Sequence, residues 1–245
     1  FSDEKKHEKY TFSFDMLGEA AVTYEDSERY YKQYENAILT TGQSKNPERK
    51  SISIKLSSLH PRYERNKLDL LKKELYPKVF KLTELGRENK VDICFDAEEA
   101  DRLNLSLFIF KEIIESNLID ETYSGFGFAV QAYQKRAFFV LEWLKQYLES
   151  KNKKINIRLV KGAYWDTEIK FAQEQGFKDY PVFTKKFVTD ISYLACAHKL
   201  LENKNIYSQF ATHNAHSIAY IKTLFKNKDF EFQKLHGMGD EIYSH

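Results

Sequence analysis

The strongest constraint on this chain is a rhythm of seven short apolar runs separated by helix-length amphipathic stretches. Strands are expected at Thr11–Asp15, Ser51–Leu56, Val91–Asp96, Phe126–Gln131, Ile155–Val160, Tyr207–Thr212 and Phe230–Leu235. Between them, Glu25–Thr40 sets Tyr30, Tyr34 and Ile38 on one helical face and ends near Gly42, a residue suited to a C-terminal cap. Leu68–Arg87 repeats leucine at helical spacing, and Pro77 must kink or split it. Arg102–Ser116, Ala137–Leu148, Asp190–Leu201 and Ser217–Phe225 follow the same 3.6-residue period, with extra material at Trp165–Lys186.

Strict alternation implies parallel strands with crossover helices. No Gly-x-Gly-x-x-Gly turn follows a strand, and Gly125 and Gly127 open one instead. The expected class is α/β, a distorted (β/α)8 TIM-type barrel. Closure needs eight strands, because seven leave two unpaired edges. The expectation is a polar lead-in at 1–10, barrel strands one to seven over 11–238 and a truncated tail at 239–245. The eighth strand and last helix are then absent from this chain.

The length of 245 residues suits one large α/β domain. Net charge is +2 with acids and bases interspersed, so no basic block marks a nucleic-acid surface. No apolar run approaches the roughly 18 residues of a spanning helix. Cys94 and Cys196 are far apart and fit two buried thiols in a reducing compartment. His213-x-x-His216 lacks an obvious third ligand, so no metal is expected. Capping or phosphate contact suits that segment better. His60-Pro61-Arg62-Tyr63 reads as an ordinary polar loop.

Side chains alternate across a strand with period two. Ile52, Ile54 and Leu56 oppose Ser53 and Lys55. Ile93 and Phe95 oppose Asp92, Cys94 and Asp96. Phe126, Phe128 and Val130 oppose Gly127, Ala129 and Gln131. The large apolar set is expected to meet the helices, leaving an inward set that is small below and polar at the strand ends. Ligands of parallel α/β folds bind at those carboxyl ends. Asp15, Glu19, Lys55, Asp96, Gln131, Arg158, Lys161, Thr212-His213-Asn214, Gln233 and His236 collect there, as does the dense segment Arg158–Asp166. So many charges must be wet, mutually paired or matched by a polar ligand. Arg158 and Lys161 would point oppositely on a regular strand, and Gly162 supplies a bend.

These segments resemble the flavin-dependent proline dehydrogenases, in particular the dehydrogenase domain of bifunctional proline utilization proteins. The resemblance is carried by Phe12-Ser13-Phe14-Asp15-Met16-Leu17-Gly18-Glu19-Ala20, Ser53-Ile54-Lys55-Leu56-Ser57, Asp96–Arg102 and Gln131–Arg136. It continues through Arg158–Asp166, Phe210–His216 and Phe232–Gly239. Seven motifs in family order over nearly the whole chain are far more specific than any one alone.

The resemblance implies FAD at the barrel mouth and oxidation of L-proline to pyrroline-5-carboxylate by hydride transfer, the first step of proline catabolism. Electrons would pass to a membrane quinone. By position, Lys55 would bind the proline carboxylate, with Tyr164 and Leu235 flanking the ring. Arg158 would lie near the reactive flavin nitrogen, and Lys55, Arg158 and Tyr164 form the implied catalytic set. Asp96, Ala97, Ala129 and Gln131 would line the flavin, and Lys161, Gly162, Ala163, Tyr164 and Trp165 would wrap it. Thr184, Lys185, Thr212, His213 and Asn214 would hold its ribityl, phosphate and adenosine parts. Gln233 would reach the ring edge, and Leu235 would lie close to it. Asp15 and Glu19 stand where the family keeps an acidic partner for active-site cations. The family's tyrosine and arginine pair on the eighth strand and following helix are absent here, so residues 1–245 alone are expected to bind proline poorly. A linked aldehyde dehydrogenase module, a cytoplasmic location and peripheral contact with the inner face of the membrane are further implications. Two other readings stay open: a barrel lyase using Lys161 or Lys55 as a Schiff-base amine, and a degenerate scaffold barrel.

Overall fold

The computed structural model describes residues 10–44 and 50–244. The expected lead-in at 1–10 lies, but for Tyr10, outside the described residues. The strands are β1 (Phe12–Asp15), β2 (Lys50–Ile54), β3 (Asp92–Phe95), β4 (Phe126–Gln131), β5 (Ile155–Val160), β6 (Ile206–Ala211) and β7 (Phe230–Gln233). Their spatial order is β1-β2-β3-β4-β5-β6-β7. β1–β2, β2–β3, β5–β6 and β6–β7 pair in parallel. A doubly wound sheet reverses its strand order at a switch point. Unbroken sequence order with parallel pairing is the barrel-type pattern.

The helices are α1 (Tyr24–Gln43), α2 (Leu68–Glu74), α3 (Tyr76–Asn89), α4 (Leu103–Glu115), α5 (Ala137–Lys151), α6 (Trp165–Glu174), α7 (Lys186–Leu201), α8 (Ala215–Leu224) and α9 (Asp240–Tyr243). The chain divides into two compact units. One comprises Phe1–Asp96 with Leu105–Gly127, and the other Ala97–Asn104 with Phe128–His245.

In the first unit, Thr23 starts α1 with a capping box. Its hydroxyl accepts from the Asp26 amide at 3.0 Å, and the Asp26 carboxylate accepts from the Thr23 amide at 3.1 Å. α1 runs past Gly42, and Ser44 is its C-cap, so Gly42 is not the expected cap. A Cβ there would meet Asn89 Cβ at 2.7 Å, so glycine serves close packing against the end of α3. Pro77 splits the leucine-rich stretch as expected. It sits in the first turn of α3, where a missing N–H costs nothing.

The predicted apolar faces of β3 and β4 do meet a helix. Phe95, Phe126 and Phe110 of α4 are wholly buried, with Phe95 edge-on to Phe126 at 4.9 Å and Phe110 stacked on Phe126 at 4.9 Å. Burial of each ring is worth about 1.5–3 kcal/mol. In the second unit Phe210 of β6 packs edge-on to Phe230 and tilted against Phe232 of β7. Both cysteines are buried free thiols. The extra material at Trp165–Lys186 contains a regular helix, α6, that the sequence reading leaves unassigned. No helix among the described residues is long and apolar enough to cross a membrane.

Candidate functional site

In the first unit the chemistry gathers at the carboxyl end of β2. The strand stops at Ile54, two residues earlier than expected, and Lys55 leads into a 3-10 turn at Leu56–Ser58. The Lys55 amide donates to the Tyr34 hydroxyl at 3.2 Å, and its carbonyl accepts from Ser58 Oγ at 2.6 Å. With its backbone pinned on both sides, the side chain reaches Asp15 Oδ1 and Oδ2, each at 2.9 Å, and Asp96 Oδ2 at 3.5 Å. Burial works against the ammonium charge. The Asp15 hydrogen bond and the fields of Asp96 and Asp15 together outweigh it and hold Lys55 above the ordinary lysine value. Glu19 is exposed.

In the second unit the register puts Arg158 beside Gln209, and Gln209 beside Glu231. Asn156 pairs with Tyr207 and Ala211 with Gln233 in the same registers. With two-residue alternation, Asn156, Arg158, Tyr207, Gln209, Glu231 and Gln233 share one face of β5–β7, opposite Ile157, Leu159, Phe210 and Phe232. Arg158 is only 8% exposed.

The segments that follow β4 and β5 are tied to each other and to the stretch around Phe183. The Ala132 amide donates to the Val160 carbonyl, the Tyr133 amide to Lys161 and the Phe183 amide to Tyr133, each at 2.8 Å. Gln131, 2% exposed, donates from Nε2 to the Glu98 carbonyl at 2.8 Å and accepts from the Ala163 amide at 3.3 Å. The bend after β5 is real. Gly162 has φ +139°, and a Cβ there would lie 2.5 Å from the Tyr133 ring. Lys161 is ion-paired with Asp190, which also holds Lys186 at 2.6 Å. Tyr164 is half-buried ahead of α6, and the Trp165 indole donates to the Phe183 carbonyl at 3.0 Å. Thr184 and Lys185 lie exposed just before α7. Ala129 is buried in β4, and Ala97 is half-buried.

The end of β6 forms a second cluster. Asn214 caps α8 by accepting from the Ser217 amide at 2.9 Å, so capping accounts for part of Thr212-His213-Asn214. Thr212 Oγ1 accepts from the Asn214 amide at 3.1 Å, and the Thr212 amide donates to the Gln233 carbonyl at 3.3 Å. His213 Nε2 accepts from the Leu235 amide at 3.1 Å, which places the ring proton on Nδ1. β7 ends at Gln233, so Leu235 lies beyond the strand and is 63% exposed. Among the described residues no group of three metal-ligating side chains could hold an ion.

Two features escape the sequence reading. Glu168 of α6 is buried, and its carboxylate accepts from the Ala100 amide at 2.5 Å. Arg136 donates to the Ala100 carbonyl and, at 2.9 Å, to Asn104 Oδ1. The two side chains thus grip both backbone groups of Ala100, and burial raises the Glu168 carboxyl above its usual value. The signal was available as an acid in the first turn of a helix, where it complements the dipole. In the first unit His60 is 1% exposed, not part of an ordinary polar loop. Its Nδ1 accepts from the Arg62 amide at 3.0 Å and its Nε2 lies 3.0 Å from Glu74 Oε2.

The described donors and acceptors suit a large polar cofactor. The β5–β7 face offers a guanidinium, amides and a hydroxyl, and the loops beyond the strands add Lys161 and Lys185. Comparison with known proteins points to a family. The chain is 48% identical over 244 residues to the Bifunctional protein PutA of Klebsiella aerogenes, covering 96% of this chain and 18% of that protein. It is 43% identical over 253 residues to the Bifunctional protein PutA of Rhizobium meliloti, covering 99% and 20% respectively. A crystal structure of a Bradyrhizobium japonicum Proline Utilization A variant superposes with TM-score 0.90 at 45% identity, over 95% of this chain and 24% of that one. The chain therefore spans about a fifth of the length of these curated relatives. The family model described as Proline dehydrogenase matches residues 2–245. On this match, the relatives and the shared barrel-type architecture, the chain belongs to the proline dehydrogenase family.

Proposed function

We propose that this chain carries the catalytic residues of an FAD-dependent proline dehydrogenase, which oxidises L-proline to pyrroline-5-carboxylate and passes electrons to a membrane quinone. The observation that carries the reading is the largely polar β5–β7 face around buried Arg158, in a chain of this family. Bound FAD would supply the hydride acceptor. Every other task falls to side chains of the chain.

Lys55 receives the proline carboxylate. Its charge is secured by Asp15 and Asp96, so it enters as a fixed ammonium. The same feature argues against the lyase reading, since a Schiff-base nucleophile must be a neutral amine. Lys161 is likewise committed to an ion pair. Arg158 sets a preorganised positive charge where negative charge develops. Tyr164 and Leu235 bracket the substrate ring, and the high exposure of Leu235 leaves it available. Asp96, Ala97, Ala129, Gln131, Lys161–Trp165, Thr184, Lys185, Thr212–Asn214 and Gln233 hold the cofactor. An aldehyde dehydrogenase module linked in the same protein would oxidise the product further, and the length of the curated relatives leaves room for one.

The test is product formation. The natural-length protein, given proline and an artificial electron acceptor, should release a cyclic imine that an aromatic amino-aldehyde traps as a coloured adduct. Absence of the adduct with a flavin-loaded protein contradicts the substrate assignment.

A further inference from the structure

Gln233 and Glu231 lie two residues apart on β7 and share the polar face. Gln233 Nε2 donates to Glu231 Oε1 at 2.7 Å. The other Glu231 oxygen lies 3.4 Å from the Tyr207 hydroxyl, its donor. The Gln233 backbone is held as well, because its carbonyl accepts from the Thr212 amide and lies 3.1 Å from the Tyr243 hydroxyl. The Gln233 side chain is half-buried at the end of β7, so a ligand can reach it.

A carboxamide has two chemically opposite ends, and its orientation follows from its neighbours. An ionised carboxylate only accepts, so the end of Gln233 facing Glu231 must be its NH2. The end left for a ligand is the carbonyl oxygen Oε1. We propose that Glu231 is a positioning residue that fixes the Gln233 amide as a hydrogen-bond acceptor, selecting a ligand edge that offers an N–H. This rests on the flavin reading. The flavin ring has one such donor, the imide N3–H, flanked by two carbonyl oxygens that a reversed amide would meet instead. Glu231 thereby sets the polarity of the recognition without touching the cofactor.

The test compares FAD with FAD methylated at N3, which loses that donor, in the natural-length protein and in its Glu231→Gln variant. Dissociation constants are read by flavin fluorescence, with no turnover required. In the parent, methylation should weaken binding several-fold to about tenfold, the range of one neutral hydrogen bond. In Glu231→Gln the Gln233 amide can turn over, so the methylation penalty should shrink toward one while FAD itself binds more weakly. Loss of the Glu231 charge acts equally on both ligands and cancels in the ratio. A purely structural role would weaken both ligands and leave the penalty intact, which overturns the proposal. A parent that binds both flavins equally also overturns it, while leaving the flavin reading standing. A parent that binds neither overturns the flavin reading and this proposal together.

Discussion

The Lys55 ammonium lies 2.9 Å from both carboxylate oxygens of Asp15, with Asp96 3.5 Å away on its other flank. A cation gripped this way keeps its position and its charge before any substrate arrives. Lys55→Met should raise the proline KM about 10- to 100-fold, the worth of a charged hydrogen bond. Flavin content should not change. Steady-state kinetics with a flavin count checks both, and an unchanged KM contradicts the carboxylate role. Because the folded Lys55 value is raised, the stability from this cluster is complete below the ordinary lysine pKa. It is lost as pH rises through the raised value. Lys55→Met should therefore flatten the alkaline limb of the stability profile.

Gly162 and Gly176 make a matched pair. Both have positive φ, +139° and +63°, but a Cβ at Gly162 strikes the Tyr133 ring whereas nothing lies within 4 Å at Gly176. Gly162→Ala should cost about 1–3 kcal/mol from backbone strain alone, with the ring clash added. It should also weaken flavin retention. Gly176→Ala should be milder and leave flavin binding intact. Urea unfolding and flavin titration of both variants decide the point, and equal effects contradict the steric account.

Phe110 packs edge-on to Phe95 and stacks on Phe126, and it is wholly buried. Phe110→Ala should destabilise the protein by about 3–5 kcal/mol through lost burial and a cavity. Chemical denaturation measures this directly, and a loss under 1 kcal/mol contradicts the packing described.

Asp120 has its carboxyl held down at about 2, chiefly by hydrogen bonds from the Thr122 hydroxyl and amide, with Arg87 assisting. A depressed carboxylate contributes stability above its unfolded value of 3.8, and that contribution is lost as pH falls through about 2. Asp120→Asn should lower stability at pH 7 and reduce its fall between about pH 4 and pH 2. Melting temperatures across that range test the sign.

Much of this was legible in the sequence because strand alternation and helical period are local signals. Phe95 and Phe126 meet Phe110 where the period-two reading sends them, and Pro77 breaks its helix as its missing N–H requires. What stayed hidden depends on partners distant in sequence. Gly42 looks like a cap until Asn89 is packed against it. His60 looks like loop until Glu74 reaches it. Glu168 looks like an ordinary first-turn acid until Ala100 of another segment donates to it, and α6 itself was masked by a weakly apolar stretch. The short β7 likewise leaves Leu235 outside the strand that the apolar run suggested.

The most direct measurement is an anaerobic flavin spectrum. The natural-length protein is purified with FAD, oxygen is removed and proline is added. This account predicts bleaching of the oxidised flavin band by proline, and loss of that response at the same proline concentration in Lys55→Met. A protein that binds flavin but keeps its oxidised spectrum under saturating proline contradicts the central claim.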